Sequence, residues 1–209
     1  TISGGNVPPE EIEAAKRDMD ERTFRQEFMA DWVDYKGIVY YAFTEQHLER
    51  YAPAEPLKTI HIGMDFNIDP GCAVIAEYTK QGLHIIDEVE INNSNTFEMA
   101  EAIRVIVYPD PAGSARKTSS NTTDHKILQN KGFEVYARRA HPRVKDRINS
   151  VNSAFASGKI KIDPKCKSLR NCLNKLSYRE GTGEQDKTSG LDHMPDALGY
   201  MVEYLFPIT

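Results

Sequence analysis

Apolar runs of strand length follow one another in the region that begins at residue 59. The runs TIHIGMDF (59–66), CAVIAEYT (72–79) and LHIIDEVEI (83–91) are rich in β-branched and other apolar residues. The polar links between them are short, and short links join antiparallel neighbours. These three runs therefore predict a meander of three antiparallel strands.

After residue 91 the pattern changes to an alternation of strands and helices. RVIVYPD (104–110) and FEVYAR (133–138) predict two further strands, and KIKID (159–163) predicts a short β segment. Helical spacing of apolar residues predicts helices at 96–103, 122–132, 143–158, 167–176 and 192–206. A meander followed by alternating strands and helices predicts an α/β domain with a mixed sheet flanked by helices.

The first 58 residues follow a different pattern. The segment PPEEIEAAKRDM begins with two prolines and acidic residues, as helix N termini do, and Phe24 and Phe28 continue with helical spacing. Residues 8–31 are therefore predicted to be helical, and residues 45–58, which include Pro53 and Pro56, are predicted to be a connector. We expect a helical linker or appendage over residues 1–58 and the main domain over residues 59–209.

The net charge of −5 conceals a strongly basic segment. Residues 131–179 carry 13 basic and 3 acidic side chains, whereas acidic residues are in excess elsewhere. A basic segment attracts phosphate, and acidic clusters tolerate nucleic acid only where metal ions neutralise them. The combination indicates a polyanionic ligand at a site that holds cations, although a basic segment alone is more often a solvated face.

The sequence argues against a cysteine-based site, a membrane helix and a nucleotide-binding loop. Cys72, Cys166 and Cys172 are too few and too irregularly spaced for a disulfide framework or a zinc site. No run approaches the roughly 18 apolar residues of a membrane helix. In GTGEQDKTS, Asp186 stands where a phosphate-binding loop needs a glycine before the lysine, so we expect no nucleotide site in this chain.

Two aspartates stand where predicted strands end. Asp65 ends the first run in GMDFNIDPG, and Asp110 ends the fourth in VYPDPAG. Taken singly, such residues more often shape a turn or cap a helix. Two carboxylates after separate strands of one sheet can also lie close together, and Mg²⁺ binds such carboxylates together with water and substrate phosphate.

The last predicted helix adds three more polar residues. In GLDHMPDALGYMVEY, Asp192, His193 and Asp196 fall within an arc of roughly 100° on the helix. The opposite side is an ordinary apolar stripe. Helical geometry alone favours a solvated face with Asp192 as the helix cap, and the alternative is a third wall of a metal site.

Three segments, in this order and at these separations, resemble the C-terminal nuclease domain of the large terminase subunit of tailed bacteriophages: HIGMDFNIDPG, VYPDPAG and LDHMPDALGYMVEY. FRQEFMADWVDYKGIVYYAF resembles the segment that joins the ATPase motor of that family to its nuclease, and RINSVNSAF resembles the helix between the second and third acids. The resemblance implies an RNase H-like fold. It also implies a metal-dependent endonuclease that cuts concatemeric viral DNA during genome packaging.

The resemblance also implies the surroundings of the domain. Residues 1–58 would lead toward an ATPase domain that is absent from this chain. The implied partners are double-stranded DNA, the terminase ATPase domain, the small terminase subunit and the portal, with no membrane. The implied location is the cytoplasm of the infected bacterial host.

Site roles follow from the resemblance position by position. Asp65 and Asp110 are the strand acids and Asp196 the helix acid, all three catalytic and metal-binding. His193, in the H-x-x-D position, is a candidate to bind metal or to relay protons, and Asp192 stays between ligand and helix cap. With DNA bound, two Mg²⁺ or Mn²⁺ ions about 4 Å apart would activate water and stabilise the leaving 3′ oxygen, with Asp65 and the scissile phosphate bridging them.

The basic run YARRAHPRVKDR and the loop before the last helix are candidates for contacts with the DNA backbone. The residues concerned are Arg138, Arg139, Arg143, Lys145, Arg147, Arg179 and Lys187. Backbone contacts position DNA without reading its bases, so cutting should depend only weakly on sequence.

Two rival functions stay open from the sequence. Another RNase H-like enzyme, such as a Holliday-junction resolvase or a transposase-like domain, uses the same three acids, and a preference for four-way junctions over linear duplex would identify a resolvase. A non-catalytic module that docks DNA or a portal would instead carry its acids as solvated residues.

Overall fold

A mixed sheet of six strands forms the centre of the part of the chain that the structure describes, in the order β5–β4–β1–β2–β3–β6. The strands are β1 (His61–Asp65), β2 (Gly71–Thr79), β3 (Gly82–Ile91), β4 (Ile106–Pro109), β5 (Glu134–Val135) and β6 (Ile160–Ile162). β1, β2 and β3 pair antiparallel, whereas β4 is parallel to β1, β5 to β4 and β6 to β3. This topology confirms the predicted antiparallel meander followed by parallel strands.

The structure is a computed structural model, and it describes residues 7–19, 21–29, 37–52, 59–67, 69–92, 106–115 and 122–208. Its helices are α1 (Pro9–Asp18), α2 (Glu21–Phe28), α3 (Asp124–Asn130), α4 (Val144–Ala156), α5 (Lys167–Lys175) and α6 (His193–Leu205). The helix predicted over 96–103 lies outside the described residues. No described helix is both long and apolar enough to span a bilayer.

The helix predicted over residues 8–31 is divided in the structure. The backbone of Met19 is extended, with φ −104° and ψ 151°, so α1 ends before it and α2 begins at Glu21. Apolar spacing alone does not reveal this break, because Phe24 and Phe28 keep helical spacing within α2. Their rings stack with centroids 5.3 Å apart.

The main hydrophobic core lies between one face of the sheet and the helices α4, α5 and α6. Its fully buried members include Val74 and Ile85 on the sheet, Val151 on α4, Leu173 on α5 and Met201 on α6. A smaller cluster covers the other face of the sheet and includes Ile62, Met64, Val107, Leu128 and Phe133. Since side chains alternate along a strand, Gly63 and Asp65 face the side that carries α6.

Helix α6 lies directly on β1 at Gly63. A Cβ atom at this position would lie 2.0 Å from the carbonyl oxygen of Ala197, so only glycine permits the observed approach. The contact brings the first turn of α6 to the C-terminal end of β1, where Asp65 is located.

Residues 37–52 pack against the same core. Val39, Tyr40 and Phe43 are buried in it, and the Val39 N–H donates to the carbonyl oxygen of Leu176 at 2.8 Å. The side-chain amide of Asn152 donates to the carbonyl oxygen of Val39 at 2.9 Å. The division of the chain at residue 58 remains a prediction, and this stretch before it contributes side chains to the main core.

Candidate functional site

A cleft of about 360 Å³ opens where β1 and β4 end and α6 begins. β1 and β4 are parallel neighbours, so Asp65, the last residue of β1, and Asp110, which follows β4, emerge at the same edge of the sheet. Asp192, His193 and Asp196 line the same cleft from the start of α6. All five residues predicted for the catalytic and metal site are therefore brought together.

Asp65 is paired with His193. Nδ1 of His193 lies 3.1 Å from Oδ2 of Asp65, and the side-chain amide nitrogen of Asn67 lies 2.9 Å from Nε2 of the same ring. The hydrogen bond to Asp65 raises the pKa of His193, burial opposes this rise, and the nearby charge of Asp192 adds to it. The arrangement fixes the imidazole against the carboxylate, which suits either of the two predicted roles of His193.

Asp110 serves both a turn and the cleft. Its Oδ1 atom accepts a hydrogen bond from the Ala112 N–H at 2.9 Å, which starts a 3₁₀ turn, and the same oxygen lies 2.8 Å from Nε2 of His141. Nε2 of His125 lies 2.8 Å from the backbone carbonyl oxygen of Asp110. Asp110 thus shapes a turn, as one alternative predicted, and also lines the cleft. His141 is a further site residue, which the sequence did not single out.

Asp196 forms a buried ion pair with Arg147 of α4. Nη2 of Arg147 lies 3.0 Å from Oδ1 of Asp196, and the two side chains are 4% and 9% exposed. The guanidinium also lies 4.2 Å from the ring centre of Tyr200. Burial raises the pKa of Asp196 to about 6, although the charge of Arg147 opposes the rise.

Arg147 therefore differs from the sequence-based expectation. The sequence made it a candidate for contact with the DNA backbone. Its side chain is instead 4% exposed and paired with Asp196 between α4 and α6, where it also lines the cleft. The signal for this was present in the spacing, because Arg147 precedes the buried Val151 by four residues and so shares its face of the helix.

Asp192 stands in the cap position of α6 but makes no capping hydrogen bond. Its backbone is already helical, with φ −84° and ψ −27°, and its side chain turns into the cleft, where it is 3% exposed. Oδ2 of Asp192 lies 3.3 Å from Nζ of Lys187, and Oδ1 is buried without a hydrogen-bond partner. The cap alternative is therefore not realised in this structure.

Each of the four aspartates in the cleft has a basic side chain beside it. The pairs are Asp65 with His193, Asp110 with His141, Asp192 with Lys187 and Asp196 with Arg147. In this arrangement, no group of three or more histidine, cysteine, aspartate or glutamate side chains among the described residues is placed to hold a metal ion. Basic groups of the chain thus partly balance the carboxylates.

The other residues predicted to contact DNA have different environments. Pro142 and Val144 line the cleft, and Arg143 between them has a side chain that is 87% exposed. Arg138 is engaged by Glu203, with Nε 3.1 Å from Oε2, and its guanidinium lies over a tyrosine ring. The remaining exposed residues are Arg139, Lys145, which pairs with Glu27, and Arg179, which pairs with Glu184.

Comparison with known proteins identifies relatives of the chain. It is 23% identical over 207 residues to the terminase large subunit of Escherichia phage T5, covering 91% of this chain and 47% of that protein. The chain thus spans about half the length of this relative. Among solved structures, the large terminase of a thermophilic bacteriophage in complex with ATP-γ-S superposes with a TM-score of 0.75 at 19% identity, over 95% of this chain and 53% of that one.

Structures of an isolated terminase nuclease also superpose on this chain. The large terminase nuclease from thermophilic phage G20c matches 82% of this chain in both of two metal-bound structures. The cobalt-bound form has a TM-score of 0.59 at 14% identity over 98% of its chain, and the magnesium-bound form 0.56 at 13% over 97%. These likenesses support the fold.

Residues 62–205 match the family model described as the terminase RNase H-like domain. The match covers more than half of the chain, and it includes the sheet and the helices that bear the cleft residues. It confirms the predicted RNase H-like α/β fold and the resemblance noted from the sequence. The chain belongs to the family of terminase RNase H-like domains.

Proposed function

We propose that this domain is an endodeoxyribonuclease that uses Mg²⁺ or Mn²⁺ to cleave concatemeric viral DNA during genome packaging. The observation that carries the proposal is the convergence of Asp65, Asp110, Asp192, His193 and Asp196 on one cleft. Family membership favours a terminase nuclease over a Holliday-junction resolvase or a transposase-like domain. The related nuclease of phage G20c, with magnesium or cobalt bound, supports a metal-dependent reaction.

The side chains of the cleft have the chemistry that a divalent metal ion needs, although no three of the described ones are yet placed to hold it. Carboxylate oxygens are the ligands that Mg²⁺ and Mn²⁺ prefer, and Oδ1 of Asp192 is buried without a hydrogen-bond partner. We assign Asp65, Asp110 and Asp196 as metal ligands, with Asp192 and His193 as further candidates. Two bound ions would supply activation of water and stabilisation of the leaving 3′ oxygen in phosphodiester hydrolysis.

The chain's own residues have separate tasks in this proposal. Arg147 holds one oxygen of Asp196 and balances its buried charge. His193, hydrogen-bonded to Asp65, is placed to take up or release a proton at Nδ1 or Nε2. The exposed guanidinium of Arg143 is available to a DNA phosphate at the edge of the cleft.

The surroundings of the domain belong to the same proposal. The phage T5 relative is about twice as long as this chain, and another large terminase binds ATP-γ-S. Both support a neighbouring ATPase domain reached through residues 1–58. We assign double-stranded DNA, the small terminase subunit and the portal as its partners, and the cytoplasm of the infected bacterium as its location.

The nuclease proposal is tested by following the nicking and linearisation of a supercoiled plasmid in MnCl₂ and in EDTA. Asp65→Asn, Asp110→Asn and Asp196→Asn keep the shape of each side chain but remove its charge. Each should lower the cleavage rate about a thousandfold, since several kcal/mol of transition-state stabilisation by metal is lost.

Glu180→Gln is the matched control, because Glu180 is an exposed acid that does not line the cleft. It should cut as fast as the unmodified domain. If all four variants cut as fast as the unmodified domain, the assigned site is rejected. No cleavage by the unmodified domain in MnCl₂ would instead support the non-catalytic docking module.

A further inference from the structure

We propose that Lys187 is a built-in counter-ion of the site that competes with divalent metal ions for Asp192. The inference rests on the metal binding proposed above and adds a residue that controls it. The evidence for this role is that Lys187 lies beside a buried carboxylate. The role does not depend on whether Lys187 also contacts DNA.

The carboxylate of Asp192 requires a cation. Its side chain is 3% exposed, and Oδ2 lies 3.3 Å from Nζ of Lys187. Oδ1 has no hydrogen-bond partner and lies 3.9 Å from Nε2 of His193. The same ammonium group lies 4.0 Å from Oδ2 of Asp196. A buried carboxylate without a counter-charge is strongly unfavourable, so Lys187 provides charge balance in the absence of metal.

The ammonium group of Lys187 is able to leave. Its side chain is 57% exposed and belongs to a short 3₁₀ turn, Lys187–Ser189, at the rim of the cleft. A lysine ends in a strongly hydrated point charge on a flexible stem, so moving into water costs it little.

Arg147, the other cation at these acids, is held differently. Its side chain is 4% exposed, and its guanidinium contacts both Asp196 and the ring of Tyr200. Among the basic groups beside the acids of α6, Arg147 is therefore fixed and Lys187 is exchangeable. His193, the third, lies against Asp65 and Asn67. A divalent ion carries twice the charge of an ammonium group, so it displaces Lys187 from Asp192 and leaves the Arg147 pair in place.

The test is isothermal titration calorimetry of the intact domain with MnCl₂, without DNA. Lys187→Met removes the charge and keeps most of the stem, so Mn²⁺ should bind about fivefold tighter than to the unmodified domain. Lys187→Arg keeps the charge and should bind Mn²⁺ as the unmodified domain does. Arg179→Met removes a positive charge from the same loop, where Arg179 pairs with Glu184, and should also change nothing.

A second arm separates direct competition from a general effect of charge. In the Asp192→Asn background, Lys187→Met should leave Mn²⁺ affinity unchanged, because the carboxylate for which the two cations compete is absent. Circular dichroism melting in EDTA checks that every variant folds.

The outcomes distinguish the two proposals. Unchanged or weaker Mn²⁺ binding in Lys187→Met, or the same gain in the Asp192→Asn background, overturns the counter-ion role while the nuclease proposal stands. If the unmodified domain binds no Mn²⁺, the metal-dependent function fails and the counter-ion role fails with it.

Discussion

At the scale of single residues, the basic side chains of the site determine how far the charge of each carboxylate is balanced. The Arg147 side chain is itself enclosed with Asp196, whereas the side chains of His193, His141 and Lys187 are more exposed. The enclosed pair has the largest energetic consequence, because a buried charge that loses its partner keeps the cost of its desolvation.

We predict that Arg147→Met lowers the free energy of unfolding by about 3 kcal/mol at neutral pH, measured by urea denaturation. Adding Asp196→Asn should restore part of this loss, because the unpaired carboxylate is removed. The control is Arg143→Met, whose exposed pair with Asp146 should contribute less than about 1 kcal/mol. Equal losses in the two single variants would contradict a special role for burial.

Asp163 allows a prediction about pH away from the cleft. Burial opposes ionisation of this carboxylate, but the backbone N–H groups of Lys165 and Tyr51 donate to it at 2.9 and 2.8 Å and lower the pKa of Asp163. Because the pKa is lower in the folded state than its unfolded value of about 3.9, the stabilisation is present at neutral pH and is lost as the pH falls below about 4.

Asp163→Asn should therefore lower the free energy of unfolding by about 1–2 kcal/mol at neutral pH, through the loss of charge-assisted hydrogen bonds. Near pH 3 the difference from the unmodified domain should shrink. Urea titrations at the two pH values measure it, and an equal difference at both would show that the charge of Asp163 does not matter.

At the scale of elements, the sequence was most informative where apolar runs were long. β1, β2 and β3 were predicted within two residues at each end, because their alternation and turn residues agree. The division between α1 and α2 was not predictable, since it depends on the extended backbone of one residue, Met19.

The site was predictable in part, for physical reasons that differ by residue. Asp65 and Asp110 were found because each ends an apolar run. The role of Asp192 was left open. In the sequence, an aspartate before a helix looks the same whether its side chain caps the helix or points into a cleft. His141 was missed because it lies outside any helix or strand, where no periodic pattern marks a residue's surroundings.

The contact between β1 and α6 gives a prediction at this scale. Gly63→Ala places a Cβ atom against the Ala197 carbonyl, so α6 must shift, and we expect a loss of about 3 kcal/mol in stability together with much slower cleavage. Gly199→Ala is the matched control on α6, because its Cβ would lie 3.5 Å from Cβ of Arg147, an ordinary contact.

Gly199→Ala should keep activity and gain up to about 1 kcal/mol, since alanine favours helix over glycine. Thermal melting and plasmid cleavage measure both variants. Loss of stability in both, or in neither, would contradict the importance of the close approach at Gly63.

At the scale of the whole molecule, the basic segment borders the cleft at Pro142 and Val144, on either side of the exposed Arg143. We predict that Arg143→Ala weakens binding to a linear duplex in CaCl₂ and lowers the slope of log affinity against log salt by about one. Fluorescence anisotropy over a salt series measures the slope. Lys80→Ala, an exposed change in the turn between β2 and β3, should leave it unaltered, and an unaltered slope in Arg143→Ala would remove that residue from the DNA surface.

The bare backbone at Gly63 has a wider consequence. The proposed catalysis by metal tolerates little error in the spacing of its ligands. The acids of β1 and α6 lie on elements that meet where the Ala197 carbonyl rests against Gly63. Altering this single contact should therefore impair the proposed cleavage with every carboxylate left intact.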